Sequence, residues 1–455
     1  MENTIHWLEP VVAQPTSPTQ KIVSGAGILG MTTTQHDSLL TLKNEIDKVS
    51  DSGIWDDTKK ITNPYEYIFL SLQKRMHRSI SSIVPLSRSY YKMIELWDLL
   101  QLKAPADGTP LLTAHSAEGP GGFLEAIQHR VGGSARMIAM TLRSTERSIP
   151  GWRKSLAFLN KYPDVLISYG ADNTGNLYSL ANQAAFRSNA LMHLKDSAHI
   201  YTADGGFDFS ADFNAQENTV QRLLAAEALC GLNVLCEGGT MIIKVFDTKN
   251  LATLQLLWMI SMCFDRTGLV KPHTSRPANS ERYWIGQGFR PAHPTWVTDM
   301  LSNLTGSPAP LGWDRLFQDT PYSDAWFSTV KAFQETVEEH QFHNIQMTLN
   351  IIKQPAREHI QELLMKNIHC SREWCVRHGI TLNPLYAALS DQQIASQNLE
   401  EALVPFPALG GRTHSQAESR PVLKHHVLFS SPVPPPPAGP AWRSALPASI
   451  LGPKS

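Results

Sequence analysis

At 455 residues, with 42% hydrophobic and 18% charged side chains, the chain is long enough for one large domain plus an appendage, or for two domains. A formal net charge of −1 excludes bulk attraction to a polyanion, so any nucleic-acid partner must be met by a local basic patch. Cys230, Cys236, Cys263, Cys370 and Cys375 are too few and too scattered for a disulfide scaffold, and point to a reducing compartment.

The chain opens with MENTIHWLEP, which lacks the basic-then-apolar layout of a secretory leader. Residues 1–62 are polar and mixed, an N-terminal extension without sustained periodicity. From Asn63 the pattern turns helical, and RSYYKMIELWDLL sets Tyr91, Ile94 and Leu99 near one stripe. Strands then alternate with helices. PLLTAHSA, RMIAMTL, DVLISYGAD, AHIYTADGG and GTMIIKVFD read as strands; GGFLEAIQHRV, ENTVQRLLAAEALCGLNVL and LATLQLLWMISMCF read as helices. The last of these is too short to span a bilayer and contains a glutamine, so a soluble protein with no membrane partner is expected. RTGLVKPHT and ERYWIGQGF follow as adjacent strands with no helix between them. This order predicts an α/β fold: a mostly parallel seven-stranded sheet, helices on both faces, and an antiparallel edge strand from the final pair. Residues 63–312 form that core. Residues 313–404 read as a helical appendage interrupted by Pro355, and 405–455, with SSPVPPPPAGP, as a Pro-rich tail expected to be disordered.

Five stretches carry chemistry. AHSAEGPGGF, residues 114–123, is a strand, an acid (Glu118) and a turn with Gly119, Gly121 and Gly122 that opens a helix. Such a turn lets backbone approach a ligand at a helix N-terminus, although it also serves as a plain strand–helix connection. It is neither G-x-G-x-x-G nor a phosphate-binding lysine loop. A second acid–glycine turn, YGADNTGN, offers Asp172 either to a ribose or adenine or to the turn itself. In MIIKVFD, Lys244 lies in a strand that should be buried on both faces. Lysine is almost never buried unpaired, so it is a working residue or one that snorkels to water. Asp204 ends its own strand at the same edge of the sheet, with Gly205 and Gly206 clearing space around it. Finally, TSRPANSERYWIGQGF places Arg276, Glu281 and Arg282 directly before an apolar run.

Lys92 in RSYYKMIEL, Asp204 in ADGGFD, Lys244 in IIKVFD and Glu281 in SRPANSERY stand in the order and local context of a Lys-Asp-Lys-Glu tetrad. In this the chain resembles the FtsJ/RrmJ-type RNA 2′-O-ribose methyltransferases. CFDRTGLVKPHTSRPANSERYWIGQGF, ADGGFDF and GADNTGN resemble their cap-specific mRNA (cap-1) branch and its viral relatives. The likeness covers roughly residues 86–290. It implies a Rossmann-like class I methyltransferase fold with S-adenosylmethionine as cofactor. Ser87, Glu118, Gly119, Pro120, Gly121, Gly122 and Phe123 would meet the methionine part, Asp172 the adenosine, and Asp204 both the cofactor and the reacting centre. It further implies methylation of a ribose 2′-hydroxyl, on the first transcribed nucleotide of capped mRNA. Lys244 would act at the 2′-oxygen, with Asp204 and Glu281 orienting it and Lys92 completing the network. Ribosomal or transfer RNA as substrate, and a non-catalytic RNA-binding scaffold of a capping or transcription complex, are the alternatives.

Arg276 and Arg282 are expected to meet phosphates, together with Arg75 and Arg78 in LQKRMHRS; RSTERSIPGWRKS is a second basic stretch. Trp152, Tyr178 and Phe207 are candidate faces for stacking a methylguanine. His115, Ser116 and Ala117 stand where the family often has an Asp, which leaves open which acid meets the methionine amino group. Cys370 and Cys375, with His369 and His378, sit on a helical pattern without a second ligand pair, so no metal site is expected. The compact chain is closer to viral members, and a cytoplasmic or viral-factory location is expected over a nuclear one.

Overall fold

A computed structural model describes residues 4–14, 16–23, 30–33, 36–50, 53–69, 79–146, 149, 151–206, 216–307 and 312–409. Arg75, Arg78, Phe207 and the tail from residue 410 lie outside the described residues.

Ten strands are described: β1 (His6–Trp7), β2 (Gln20–Val23), β3 (Leu111–Ser116), β4 (Ala135–Met140), β5 (Val165–Ser168), β6 (Ala198–Ala203), β7 (Leu235–Val245), β8 (Phe264–Val270), β9 (Arg282–Phe289) and β10 (Arg315–Phe317). Eight of them form one sheet in the order β1-β8-β9-β7-β6-β3-β4-β5. Strands β5, β4, β3, β6 and β7 are mutually parallel. The seven strands read from the sequence are present, and β1 adds an eighth at the β8 edge.

An antiparallel strand does stand at the edge, but it is β1, and the antiparallel strand of the final pair is internal. β9 lies between β7 and β8 and runs against both. The crossover helix Leu251–Ser261 carries the chain one strand position past β7, and the β8–β9 hairpin then folds back into the gap. Tyr283, Trp284 and Ile285 on β9 are fully buried, as a central strand requires.

Side-chain alternation divides the core into two layers. Ala114, Ile138, Tyr201, Met241 and Ile243 pack with the helices Gln216–Leu232, Leu251–Ser261 and Thr295–Gly306. Met137, Ala139, Ile200, Ile242 and Ile285 pack with the helix Ser89–Leu99 and with the helix Gly122–Arg130. Lys244 shares the face of Ile242 by the same alternation, and so faces the helix that carries Lys92.

Both flanking regions are tied to this core. Trp313, Phe317, Trp326, Val330 and Phe333 belong to the first layer, while Ile360, Leu364, Ile394 and Leu399 belong to the second. In the N-terminal extension, β2 pairs with β10. Leu39, Ile46 and Trp55 pack on Ile345 and Leu349 of the helix Asp324–Lys353. The extension thus carries two helices, His36–Ser50 and Ile54–Thr62, where no sustained periodicity was expected, and the second buries Trp55, Thr58, Ile61 and Thr62.

Candidate active site

Strand register brings the predicted tetrad together. Ala203 of β6 pairs with Ile243 of β7, so Asp204 and Lys244 leave the sheet side by side. On the other flank of β7, Lys244 is opposite Tyr283 and Val245 is opposite Arg282, which puts Glu281 just past the same end. Lys92 reaches down from the helix Ser89–Leu99. Its ammonium contacts both carboxylate oxygens of Glu281, at 2.7 and 2.8 Å. Lys244 Nζ lies 3.3 Å from Asp204 Oδ1 and donates to the Asp204 carbonyl at 2.7 Å. Tyr283 donates its hydroxyl to the same Asp204 Oδ1 at 2.8 Å.

The charges are settled by burial and by one another. Burial alone would raise the Glu281 carboxyl, but Lys92 and Lys244 outweigh it and hold the pKa at about 2. Burial would lower the Lys244 ammonium; Asp204, Glu281 and Glu227 more than offset it, so its pKa rises and the lysine is charged. A preorganised, desolvated ammonium between two acids can stabilise negative charge developing on a nearby oxygen. A Cβ on Gly206 would stand 3.3 Å from Lys244 Nζ, so the second glycine of ADGG leaves the lysine room.

Two buried groups of this centre are not marked as site residues by the sequence. Glu227, on the helix Gln216–Leu232, lies against Gly205, where any Cβ would overlap its Oε1. Burial first, then Asp204, push its pKa up to about 8. It sits on an alanine-rich helix face that reads as core. His115 accounts for the departure noted before the glycine loop. It lies between Thr113 (2.7 Å) and Thr202 (2.8 Å), and Thr202 donates to Glu118 Oε1 at 2.5 Å. Burial lowers the imidazole pKa to about 3, so the ring is neutral.

The glycine-rich turn stands at the carboxyl end of β3. Glu118 is buried and, among the described residues, its Oε2 has no hydrogen-bond partner. Burial and then Asp204 raise its pKa well above the carboxylate range. Gly121 adopts φ 100°, which only glycine takes easily, and a Cβ there would sit 3.1 Å from the Trp152 ring. At Gly122 a Cβ would overlap Ser87 Oγ and Ser89 Oγ. Gly122 is therefore needed for helix packing. Ser155 donates to the Pro120 carbonyl, and Phe123 is buried. An orphaned, buried carboxylate oxygen beside a helix N-terminus suits a ligand that carries its own ammonium group, as S-adenosylmethionine does.

Other predicted residues are placed elsewhere. Arg282 is fully buried and bonded to Asp247 at 2.9 Å, Gln334 at 2.5 Å and the Ser280 carbonyl at 2.8 Å. It cannot meet phosphate, because β9 is an inner strand and its first residue points into the packed helix Asp324–Lys353. Arg276 is held bidentately by Glu66, at 3.0 and 2.8 Å, a carboxylate it shares with Arg88 at 3.2 Å. Asp172 spends one oxygen on its own turn, accepting from Thr174 N at 2.9 Å and Thr174 Oγ1 at 2.6 Å. Trp152 is buried over Gly121 and Tyr178 lies under Arg222, so neither offers an open ring face. His378 bonds Asp98 at 2.6 Å and His369 pairs with Asp391 at 3.1 Å.

Residues 85–289 match the family described as FtsJ-like methyltransferase. The cap-specific mRNA (nucleoside-2′-O-)-methyltransferase 1 of Trypanosoma cruzi is 33% identical over 208 residues, 44% of this chain and 54% of that protein. The protein of the same name from Homo sapiens is 33% identical over 197 residues, 40% of this chain and 23% of its own length. The chain thus spans about half the length of one curated relative and under a quarter of the other. Nothing in these matches supports the expected closeness to viral members. Among solved structures, Burkholderia thailandensis 1,6-didemethyltoxoflavin-N1-methyltransferase covers 61% of this chain at 10% identity and a TM-score of 0.28, too low to bear on the argument. Strands β3 to β9 and the gathered Lys-Asp-Lys-Glu side chains lie within residues 85–289, the stretch, less than half of the chain, that is similar to FtsJ-like methyltransferases.

Proposed function

We propose that the protein transfers a methyl group from S-adenosylmethionine to a ribose 2′-hydroxyl of RNA, at the first transcribed nucleotide of capped mRNA. The observation that carries this reading is Lys244, a buried ammonium held by Asp204 and facing the Lys92–Glu281 pair. A ribose hydroxyl is a weak nucleophile, so the site must align it and stabilise its developing negative charge. Lys244 is the group placed to do so. Asp204 and Tyr283 fix its position, and Glu281 with Lys92 keeps the cluster electrically balanced; four coupled charges titrate together, not singly.

The turn 118–122 and Glu118 Oε2 would hold the methionine end of the cofactor, whose sulfonium supplies an activated methyl group. Asp172, through its remaining oxygen, is the candidate for the ribose of the adenosine. With Arg276 and Arg282 engaged internally, the phosphate path falls to Arg143, Arg153 and Lys154, and to Arg75 and Arg78. Capped mRNA as the substrate is favoured by the names of the curated relatives.

The test is mass analysis of capped and uncapped short RNAs after incubation with protein and cofactor. A gain of one methyl on the first transcribed ribose of capped RNA is expected. Methylation of uncapped RNA alone would move the substrate to ribosomal or transfer RNA. No transfer to either would overturn the reading.

A further inference from the structure

Glu281 stands at the end of residues 271–281, the connection between β8 and β9, which has no regular structure to hold it in place. We propose that Lys271 is the positioning residue that shapes this loop and so aims Glu281 at Lys92. The proposal rests on the reading above that Glu281 belongs to the reacting cluster.

Lys271 is only 6% exposed, and its ammonium lies inside the loop it begins. It donates to the Glu281 carbonyl at 2.7 Å, to the Asn279 carbonyl at 2.9 Å, to Asn279 Oδ1 at 2.9 Å, and to Ser275 Oγ at 3.3 Å. One side chain thereby ties together residues four, eight and ten positions further on. These hydrogen-bond partners are neutral oxygens. A buried lysine held for charge would sit on a carboxylate; this one satisfies the loop's own acceptors, which no sheet ladder reaches. Burial lowers its pKa to about 7, although the Glu281 charge opposes the shift.

A second grip acts on the start of the loop. Glu95 lies on the same helix as Lys92, one turn further along. It accepts from His273 N at 2.8 Å, Thr274 N at 3.1 Å and Thr274 Oγ1 at 2.8 Å. The helix Ser89–Leu99 therefore holds both ends of the segment, through Glu95 at one and Lys92 at the other, and Lys271 fixes the path between. An arginine could not replace it, since a planar fork does not match acceptors spread around a compact ammonium.

The test compares kcat and cofactor binding for Lys271→Met in two backgrounds. Displacing a reacting group by about an ångström costs on the order of 10²-fold in rate, so kcat should fall about 10- to 100-fold. The cofactor Kd should stay within about twofold, because the turn 118–122 is untouched. In a Glu281→Ala background the same substitution should cost almost nothing further, since the residue it positions is gone. An equal loss in both backgrounds would show general destabilisation and overturn the proposal. Should Lys271→Met fail to fold, Asn279→Ala, at an exposed position, should reproduce the pattern more weakly; an unchanged kcat there would also overturn it. An active wild type with a fully active Lys271→Met variant rejects only the positioning role. A wild type that methylates no RNA rejects the functional reading, and this proposal with it.

Discussion

Lys244 and Tyr283 face each other across the β7–β9 ladder and converge on a single oxygen, Asp204 Oδ1, from 3.3 and 2.8 Å. The hydroxyl shares the carboxylate charge and sets the angle at which Asp204 meets the lysine. A hydrogen bond to a charged group contributes about 1.5–3 kcal/mol. Part of that would appear in the transition state, so Tyr283→Phe should slow single-turnover methyl transfer about three- to tenfold. The fold and cofactor affinity should persist. A wild-type rate would show that Asp204 is positioned without the tyrosine.

Lys244→Ala should remove the charge at the proposed 2′-oxygen and leave the glycine-rich turn intact. Loss of such a donor costs on the order of 10²–10³ in rate. Lys244→Arg should not rescue, because a guanidinium is bulkier, holds its donors in a planar fork and effectively never deprotonates. Cofactor titration on the same preparations should show little change. An Ala variant within a few-fold of wild type would reject the mechanism.

At Gly122 the expected effect is on stability. A valine there would drive its Cβ into Ser87 and Ser89, and overpacking of this kind costs about 1–3 kcal/mol. Thermal melting of Gly122→Val should show a clear drop. Lost cofactor binding at an unchanged melting temperature would restore a direct ligand role for this glycine.

Arg282→Ala should unfold more easily without altering how RNA binds. Removing one partner of a buried ion pair costs up to about 3–5 kcal/mol, and here Asp247 keeps Gln334 as a donor and the Lys43 and Lys249 charges, so the lower end is expected. A residue that met a phosphate would instead lower the salt dependence of RNA binding by about one counterion. Denaturant melts and salt titrations of RNA affinity separate the two outcomes.

Glu227 should make the protein less stable as pH rises. Its folded pKa of about 8 lies above the unfolded value near 4.3, so between these limits the folded state holds a proton that the unfolded chain has released. Stability from this group is complete below about pH 4 and is lost up to about pH 8. Glu227→Gln mimics the protonated form. It should match wild type near pH 5 and exceed its melting temperature at pH 8; equal melting at both values would place the carboxylate in contact with water.

Short-range patterns already determined the strand–helix alternation and the polar residues at strand ends, because burial on two faces demands apolar runs and chain reversal demands glycine and acids. Lys244 stood out for the same reason, as a charge inside MIIKVFD. Tertiary structure decided the rest. The signal for Arg282 was identical in kind to that for Glu281, one residue away, yet Glu281 ends the loop and pairs with Lys92 while Arg282 opens β9 and pairs with Asp247. One therefore enters the cluster and the other the packed core. That β9 lies inside the sheet, that Glu66 already holds Arg276, and that Lys271, Glu95 and Glu227 converge on the site all depend on long-range pairing. A buried charge costs too much to stand alone, so its partner is dictated by space and not by position along the chain.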